Sequence, residues 1–357
     1  MKRISLPELL ELVEDGFPVQ EKDLSGLDLG GRALSKAKFL NCIASKTQFS
    51  GATLSGALFS NCEMEGALWM RSTLFKTAFV NCQLSGGSFE EVQGTKSRWI
   101  SSRLSVARFD RARLDGAAFV RGQCEKTVFS GGNLTKAKFI EMNLDDADFS
   151  RAQIVKVVYL KTDLTRTVFK GATFENPIFV KANLKGLDFS GMGLPKIQAS
   201  RCDLSETRFV GSDVTLGNFY QSDLTGADFS RATGEKALFT ESTLKGFSAP
   251  AAHLSMASFQ KVEASGANFS GADLPLSPWI EARCPQADFS NANMAFADFS
   301  HADLSSALFQ GTSLGRSTFH RAKESTADFS GSTRAMAREE DPERGEAEDF
   351  QPRVFER

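Results

Sequence analysis

The fold is decided by residues 297–311, which read ADFSH, ADLSS and ALFQG when the stretch is divided into fives. Each five has Ala at its first position and an aromatic residue or Leu at its third, the centre. The same spacing places a large residue at nearly every fifth position from Leu24 to Phe329, and no insertion breaks the register. A period of five matches neither the 3.6 of a helix nor the 2 of a simple strand. It predicts a coil with flat sides, each made of five residues.

Four such sides close a square of about 20 residues, and successive coils then pair as parallel strands roughly 4.8 Å apart. Phe and Leu alternate at the centres, and the 31 Phe stand beside only 2 Tyr and 3 Trp. This skew indicates one packing environment that is used many times, as in a repeat protein. Residues 24–330 therefore predict an all-β solenoid of about 15 coils, roughly 70 to 75 Å long.

Three segments carry a resemblance to a known family: residues 147–151 (ADFSR), 182–186 (ANLKG) and 302–306 (ADLSS). They resemble the pentapeptide repeat family, whose pattern is Ala, then Asp or Asn, then Leu or Phe, then two polar residues. The resemblance extends over residues 24–330 and implies a right-handed quadrilateral β-helix. It does not by itself imply an activity, because fold does not determine function.

The start of the chain is predicted to cap the solenoid, since each coil contacts only its neighbours and the end coil needs protection. Ser5 and Glu8 have capping-box spacing, and Pro7 lies in the first turn. These residues predict a short helix that ends at Gly16. Residues 1–23 are therefore expected to form an N-terminal cap.

The other end of the repeat is marked by Glu324 and Arg334, which occupy centre positions that elsewhere hold Leu. Charged residues at centre positions indicate the limit of a dry core. Residues 331–357 are rich in Glu and Arg and poor in apolar residues, which predicts a disordered, charged tail.

In two places a large residue occupies the position that is usually small, and a small residue occupies the centre. Near residues 187–199 large residues fill the small position, while the centre shrinks to Ala199. Within residues 245–250, Phe247 takes the small position and Ala249 the centre. Compensated packing is the simpler interpretation of both, and a bend or a docking notch is the alternative.

Charge is divided unevenly along the repeat. Residues 24–200 carry 24 Lys and Arg against 15 Asp and Glu, whereas residues 201–330 carry 10 against 15. Such a field steers partners and does not determine a fold. The first half is therefore basic and the second acidic.

The family resemblance implies one alternative function, because some pentapeptide repeat proteins are DNA mimics that bind DNA gyrase. Those members resemble duplex DNA through a strongly acidic rod, are usually dimerised through an apolar C-terminal segment, and sometimes carry loops that break the register. Here the repeat region is net positive, the tail lacks an apolar stripe, and no loop interrupts the register. These departures weigh against topoisomerase modulation and leave it as the alternative.

Direct binding to nucleic acid is not expected, although Arg98, Arg103, Arg108, Arg113 and Arg121 cluster in the sequence. Steps of five send the first four to four different sides, which makes a belt and not a groove-facing stripe. No apolar stretch reaches the roughly 18 to 20 residues of a membrane helix, and the start of the chain lacks a signal-peptide pattern. We therefore expect a cytoplasmic protein without a membrane partner.

One side of the square is predicted to be apolar on its outer surface, whereas the other three are mainly polar. A flat apolar stripe several coils long indicates an interface, and the simpler explanation is the preference of Val and Ile for strands. The expected partner is another protein or a second copy of the chain, as in a homodimer. The candidate protein-binding face comprises Leu40, Leu58, Val80, Ile100, Val120, Ile140, Val158, Leu160, Ile178, Val180 and Tyr220.

Residues suited to catalysis or metal binding are few. His301 and His320 are expected to approach each other at one corner, but no Cys or third His joins them, so no metal site is expected. No Ser after a centre has a His and carboxylate arrangement in the repeat that would suggest a nucleophile, and no phosphate loop or dinucleotide fingerprint is present. Neither a cofactor nor an enzymatic activity is predicted.

The six cysteines are predicted to be buried, structural residues. Three of them recur at intervals of 20 and would form an inward ladder, and two others take centre positions. In sequence order they are Cys42, Cys62, Cys82, Cys124, Cys202 and Cys284.

The leading prediction is thus a non-catalytic scaffold or adaptor that binds proteins. Residues 16–19 (GFPV) and 23–29 (DLSGLDL) follow the predicted helix. Together with it they resemble the leader of pentapeptide proteins associated with bacterial type VI secretion. That resemblance implies an accessory role in loading secreted cargo.

Overall fold

The computed structural model describes residues 1–338 and 340–350. They divide into two compact units: unit 1 is Met1–Leu184 with Ile197–Ala199, and unit 2 is Lys185–Lys196 with Ser200 onward. In both units, backbone bridges join residues 20 positions apart in parallel, for example Asp23 with Ile43 and Asp203 with Asp223. The predicted fold class, an all-β solenoid with a short N-terminal helix, is confirmed.

Regular strands are short and occur in unit 1 and at its boundary. Helix α1 is Leu6–Glu14, a 3-10 helix is Arg334–Met336, and helix α2 is Pro342–Asp349. The strands are β1 Lys2–Arg3, β2 Val19–Gln20, β3 Lys22–Asp23, β4 Lys38–Leu40, β5 Leu58–Ser60, β6 Ala78–Val80, β7 Arg98–Ile100, β8 Ala118–Val120, β9 Lys138–Ile140, β10 Gln153–Val155, β11 Val158–Leu160, β12 Thr173–Glu175, β13 Ile178–Val180 and β14 Gln198–Ser200.

Ten of these strands stack into one parallel sheet, in the order β2-β4-β5-β6-β7-β8-β9-β11-β13-β14. Each strand contributes one side of one turn, and the register places Phe39, Phe59 and Phe79 directly above one another. Two further pairs, β1 with β3 and β10 with β12, lie outside this sheet. The sheet therefore forms one continuous side of unit 1, called here the strand face.

Outside the strands, most corners between two sides are tight turns in which one residue has a left-handed backbone. At one such corner the N–H of Ala52 donates to the carbonyl of Phe49 at 3.0 Å, and Gly51 between them has φ +69°. Left-handed φ at this position defines a type II turn and favours Gly or Asn. Many corners nevertheless carry Lys, Arg or Glu there, for example Lys46 with φ +57°.

The core consists of two aromatic ladders and the leucines between them. Within a ladder, rings one turn apart stack, as Phe39 does on Phe59 at 4.6 Å between ring centroids. Between ladders they meet edge to face, as Phe59 meets Trp69 at 5.4 Å and 87°. Offset stacking and edge-to-face contact are the favourable arrangements of aromatic quadrupoles. Packing of centres and small residues follows the sequence prediction closely.

The exchange at Phe247 and Ala249 is compensated packing. Both side chains are fully buried. The ring of Phe247 lies 5.0 Å from that of Phe229 and 5.5 Å from that of Phe269, so it continues the ladder from the small position. No notch is needed to explain this part of the sequence.

Helix α1 begins as the sequence predicts. The Ser5 side chain accepts a hydrogen bond from the backbone N–H of Glu8, and Leu9 is buried. After the helix, Gly16 has φ +75° and the N–H of Phe17 donates to the carbonyl of Leu12. This left-handed residue closes the C-terminus of the helix.

The described part of the predicted tail contains the 3-10 helix and helix α2. Arg334 pairs with Glu324 at 3.0 Å, and its guanidinium lies 4.2 Å from the ring centroid of Phe319. The two charged centre residues thus cover the end of the aromatic ladder. Glu339 and residues 351–357 lie outside the described residues.

Candidate protein-binding surfaces

The strand face carries most of the predicted protein-binding residues in two parallel columns. The column after the centres runs through Leu40, Ser60, Val80, Ile100, Val120, Ile140, Leu160 and Val180. The column before the centres runs through Lys38, Leu58, Ala78, Arg98, Ala118, Lys138, Val158 and Ile178. The aliphatic side chains are half-buried and do not protrude from the surface, so the face is flat.

On many turn-forming sides the residue before each centre helps to hold the turn. On the turn-forming sides that residue is often Asp or Asn, whose carboxylate or amide oxygen accepts the N–H two residues later, as Asp148 does from Ser150 at 2.8 Å. Such side-chain bonds hold a tight turn. The strand face of unit 1 has no Asp or Asn at that position from Lys38 to Gln198. Turn-forming sides between Ile43 and Val128 carry no Asp or Asn there either, so this difference does not by itself account for the strands or for their aliphatic composition.

Tyr220, the last residue of the predicted face, belongs to unit 2 and not to the strand face. Its backbone N–H donates to the amide oxygen of Asn218, as in a tight turn, and its hydroxyl donates to Glu241 at 3.2 Å. At this side of unit 2 the pairing is through isolated bridges, such as Asn218 with Leu238. Tyr220 thus lies in a different local structure from the other predicted residues.

Unit 2 has an exposed apolar row that the sequence interpretation missed. Leu216, Met256, Leu276 and Phe296 recur at multiples of 20 residues, and their exposed fractions are 45%, 42%, 52% and 48%. All four occupy the left-handed corner position, with φ between 59° and 61°. Arg316 follows in the same row, with its guanidinium 5.6 Å from the ring centroid of Phe296. We call Leu216, Met256, Leu276 and Phe296 the apolar ridge.

The exposed part of the apolar ridge is unfavourable for the isolated fold, because that surface gains nothing from burial. The left-handed backbone costs an ordinary L residue roughly 1–2 kcal/mol, but the other corners share it, so it does not distinguish the ridge. Lys236 occupies the same row with φ +57°, so a polar residue fits there equally well. The signal was readable in the sequence, since these are apolar residues two positions after a centre, where Gly, Lys and Arg predominate.

The two histidines predicted to approach each other do meet, and a third group joins them. Nε2 of His301 and Nε2 of His320 lie 3.1 Å and 3.2 Å from one carboxylate oxygen of Glu348, which lies in helix α2. Nδ1 of the buried His320 accepts the backbone N–H of Asp341 at 3.2 Å. Sequence reasoning missed Glu348 because a spacing of 28 residues from His320 does not belong to the repeat.

The surroundings of this trio favour docking of helix α2 over metal binding. Because Nδ1 of His320 accepts a backbone N–H, its Nε2 carries the proton and has no lone pair for an ion. Arg344 donates to the second oxygen of Glu348 at 2.9 Å, and Arg321 lies 3.7 Å from the first. Desolvation would raise the pKa of Glu348, but hydrogen bonds from His320, His301 and Arg344 outweigh it and lower the pKa to about 2.

The six cysteines are buried, as predicted, and none forms a disulfide. Burial raises the pKa of the Cys124 and Cys284 thiols well above the usual range. A thiol held in its protonated form is a poor nucleophile.

Among the described residues, no helix is both long and apolar enough to span a membrane.

The repeated five-residue sides and the inward ladders define a class of protein, and comparison with family models identifies it. The model for pentapeptide repeats matches the chain in eight copies, which together cover more than half of it. The matched ranges are residues 23–61, 123–158, 161–191, 202–233, 237–274, 280–311 and 297–333. The chain belongs to the pentapeptide repeat family.

Solved structures include several similar proteins. A trypsin-treated variant of QnrB1, a plasmid-mediated fluoroquinolone resistance protein, is 20% identical; the match covers 57% of this chain and 90% of QnrB1, with a TM-score of 0.35. HetL from the cyanobacterium Nostoc sp. strain PCC 7120, a pentapeptide repeat protein involved in heterocyst differentiation regulation, is 18% identical; the match covers 92% of this chain and 94% of HetL, with a TM-score of 0.18. These similarities concern the fold alone. The curated protein sequences gave no match.

Proposed function

We propose that this protein is a non-catalytic scaffold that binds other proteins, and that the apolar ridge of unit 2 is one of its contact surfaces. The observation that carries the proposal is the exposure of Leu216, Met256, Leu276 and Phe296 at strained corner positions. Met256, Leu276 and Phe296 lie on successive turns, about 4.8 Å apart, and form a continuous row. Contiguous exposed apolar surface marks an interaction site in most soluble proteins.

The arrangement of the reactive groups supports a non-catalytic role. The thiols are buried, and the imidazoles of His301 and His320 are engaged by Glu348.

The strand face of unit 1 is the second proposed contact surface, with Val120, Ile140 and Leu160 near its middle.

The test replaces the ridge residues Leu216, Met256 and Leu276 with Lys. Lys236 already occupies this row, so the fold is expected to tolerate the change, and circular dichroism checks that it does. We expect the wild type, but not the variant, to associate with itself or with a purified partner in light scattering and pull-down measurements. The strand-face variant Val120→Lys, Ile140→Lys, Leu160→Lys, measured in parallel, separates the two surfaces. Unchanged association in both variants would refute the proposal.

The finer form of this proposal is an adaptor of bacterial type VI secretion, which rests on the leader at residues 16–29. Co-purification with the tagged protein tests it, and recovery of no spike, tip or effector component would exclude it. The competing function is modulation of DNA gyrase by DNA mimicry. Inhibition or protection of purified gyrase in a supercoiling assay would favour that function over the adaptor.

A further inference from the structure

Unit 1 has a row of basic residues along one edge of its strand face. Five of its members occupy the left-handed corner before a strand, and three occupy the position that opens a strand. All eight are exposed. The lysine ridge comprises Lys36, Lys38, Lys76, Lys96, Arg98, Lys136, Lys138 and Lys156.

The backbone holds the corner members of the ridge in line. Lys36, Lys76, Lys96, Lys136 and Lys156 have φ between 51° and 62°, so each leaves its turn in the same direction. The intervening turns carry Gly56 and Gly116 at the corner. A Cβ at those glycines would lie 3.7 Å from Cγ of Lys36 and 3.6 Å from Cγ of Lys96, so the lysine stems lie along the ridge over the glycines.

The ridge holds the excess charge of this part of the chain. Residues 24–184 contain 22 Lys and Arg and 14 Asp and Glu. Outside the ridge the same range has 14 of each, so the basic character belongs to one edge and not to the whole surface. None of the eight forms an ion pair within 4.0 Å among the described residues.

Apolar groups lie directly beside the ridge. The column before the centres, which holds Lys38, Arg98 and Lys138, also holds Leu58, Val158 and Ile178. The parallel column after the centres holds Val120, Ile140 and Leu160. Phe75 is 38% exposed, and its ring centroid lies 5.0 Å from Nζ of Lys76. The strand face thus presents a positive row and a parallel apolar row.

We infer that the lysine ridge and the strand face together bind an acidic amphipathic helix of a partner protein. Its carboxylates face the ridge and its apolar side chains lie on the aliphatic columns. Lys36 and Lys156 are six turns apart, about 29 Å at the inter-strand spacing, which a helix of about 20 residues spans. This inference deepens the proposed function by giving the chemistry of the strand-face partner.

The two other anionic partners fit the surface less well. A phosphodiester backbone would use the lysines but would leave the adjoining aliphatic columns without a contact. A lipid surface requires apolar side chains that protrude, whereas the aliphatic residues here are half-buried and flat. Only a protein segment with an acidic and an apolar row matches both columns.

The experiment measures binding of a fluorescent, helical 20-residue peptide with one Glu row beside one Leu row, by anisotropy in about 150 mM salt. The ridge variant is Lys76→Glu, Lys96→Glu, Lys136→Glu. The control variant, Lys46→Glu, Lys126→Glu, Lys170→Glu, makes the same charge change at exposed positions on other edges. We expect at least tenfold weaker binding by the ridge variant and less than twofold weaker binding by the control.

The other outcomes overturn the inference. No binding by the wild type, or equal weakening by the ridge and control variants, would exclude a specific acidic helix. Unchanged binding by the strand-face variant Val120→Lys, Ile140→Lys, Leu160→Lys would show that the apolar columns take no part. Tighter, ridge-dependent binding of a 20-base-pair DNA duplex or of phosphatidylserine vesicles would assign the ridge to those ligands. The proposed function is tested by association of the protein with itself or with a purified partner, and the apolar-ridge variant of unit 2 probes it without changing the strand face, so its failure is distinguishable from each of these results.

Discussion

The three tryptophans predict how one small side chain changes the stability of the core. All three are fully buried at centre positions. Trp99 donates its indole N–H to the hydroxyl of Ser97 at 3.0 Å, and Trp279 donates to Ser277 at 2.9 Å. Trp69 has Ala67 two residues before it, and its indole N–H has no acceptor among the described residues. The chain therefore contains two satisfied sites and one unsatisfied site at the same position of the five-residue unit.

Ala67→Ser is expected to stabilise the protein by about 1 kcal/mol, because the new hydroxyl accepts the orphaned indole N–H. The new hydroxyl also has an acceptor for its own proton, since Ser277 in the same position donates to the carbonyl three residues earlier, at Leu274, at 2.6 Å. Ser97→Ala is expected to destabilise by about 1–3 kcal/mol, because it leaves a buried N–H unpaired.

Urea unfolding followed by circular dichroism measures both changes, and the indole N–H resonance of Trp69 reports the new hydrogen bond directly. The matched control is Ala107→Ser, which precedes Phe109, a ring without a donor, and should be neutral or destabilising. Equal effects of Ala67→Ser and Ala107→Ser would refute the reasoning.

Three further predictions concern the core exchange and the two ends. Phe247→Ala should destabilise unit 2 by about 3–5 kcal/mol in urea unfolding, whereas the double variant Phe247→Ala, Ala249→Phe should return to within about 1.5 kcal/mol of the wild type, because it restores the ring to the centre. Glu348→Gln should speed hydrogen exchange in helix α2, while Glu346→Gln on the same helix should not. Since the pKa of Glu348 is lowered to about 2, its stabilisation is complete above the ordinary carboxyl range and is lost as pH falls through 2, which exchange at decreasing pH would show. Ser5→Ala should weaken helix α1 by about 1 kcal/mol through loss of its N-cap, seen as faster exchange of its first turn.

The period of five was sufficient to predict the fold, because each centre residue must point inward for a turn to close. Leu24, Phe149 and Leu304 are buried at the predicted register. The recurring glycines two positions after a centre, such as Gly51 and Gly131, also indicate the left-handed corners. If the corners are not distinguished, all outward positions of the repeat look equivalent in the sequence, although corner and side positions differ in exposure.

The binding surfaces were only partly predictable for that reason. Position in the coil predicts the strand face, whereas the apolar ridge and the lysine ridge depend on which outward positions are corners, and the period of five alone does not show that. The protein-binding role of Val120 and its neighbours stays a prediction. The docking of helix α2 could not have been predicted, because Glu348 reaches His301 and His320 from outside the repeat, where no period constrains position.

The left-handed corner residue has an evolutionary consequence. Its conformation is fixed by the turn and by bonds to the next turn, while its side chain leaves the core untouched, and the chain places Gly, Lys, Leu and Phe there alike. A substitution at a corner can therefore change the exposed surface of the solenoid without changing the packing of its core. Surface chemistry and core packing are set at separate positions of the same five-residue unit, so that selection can act on one while the other drifts little.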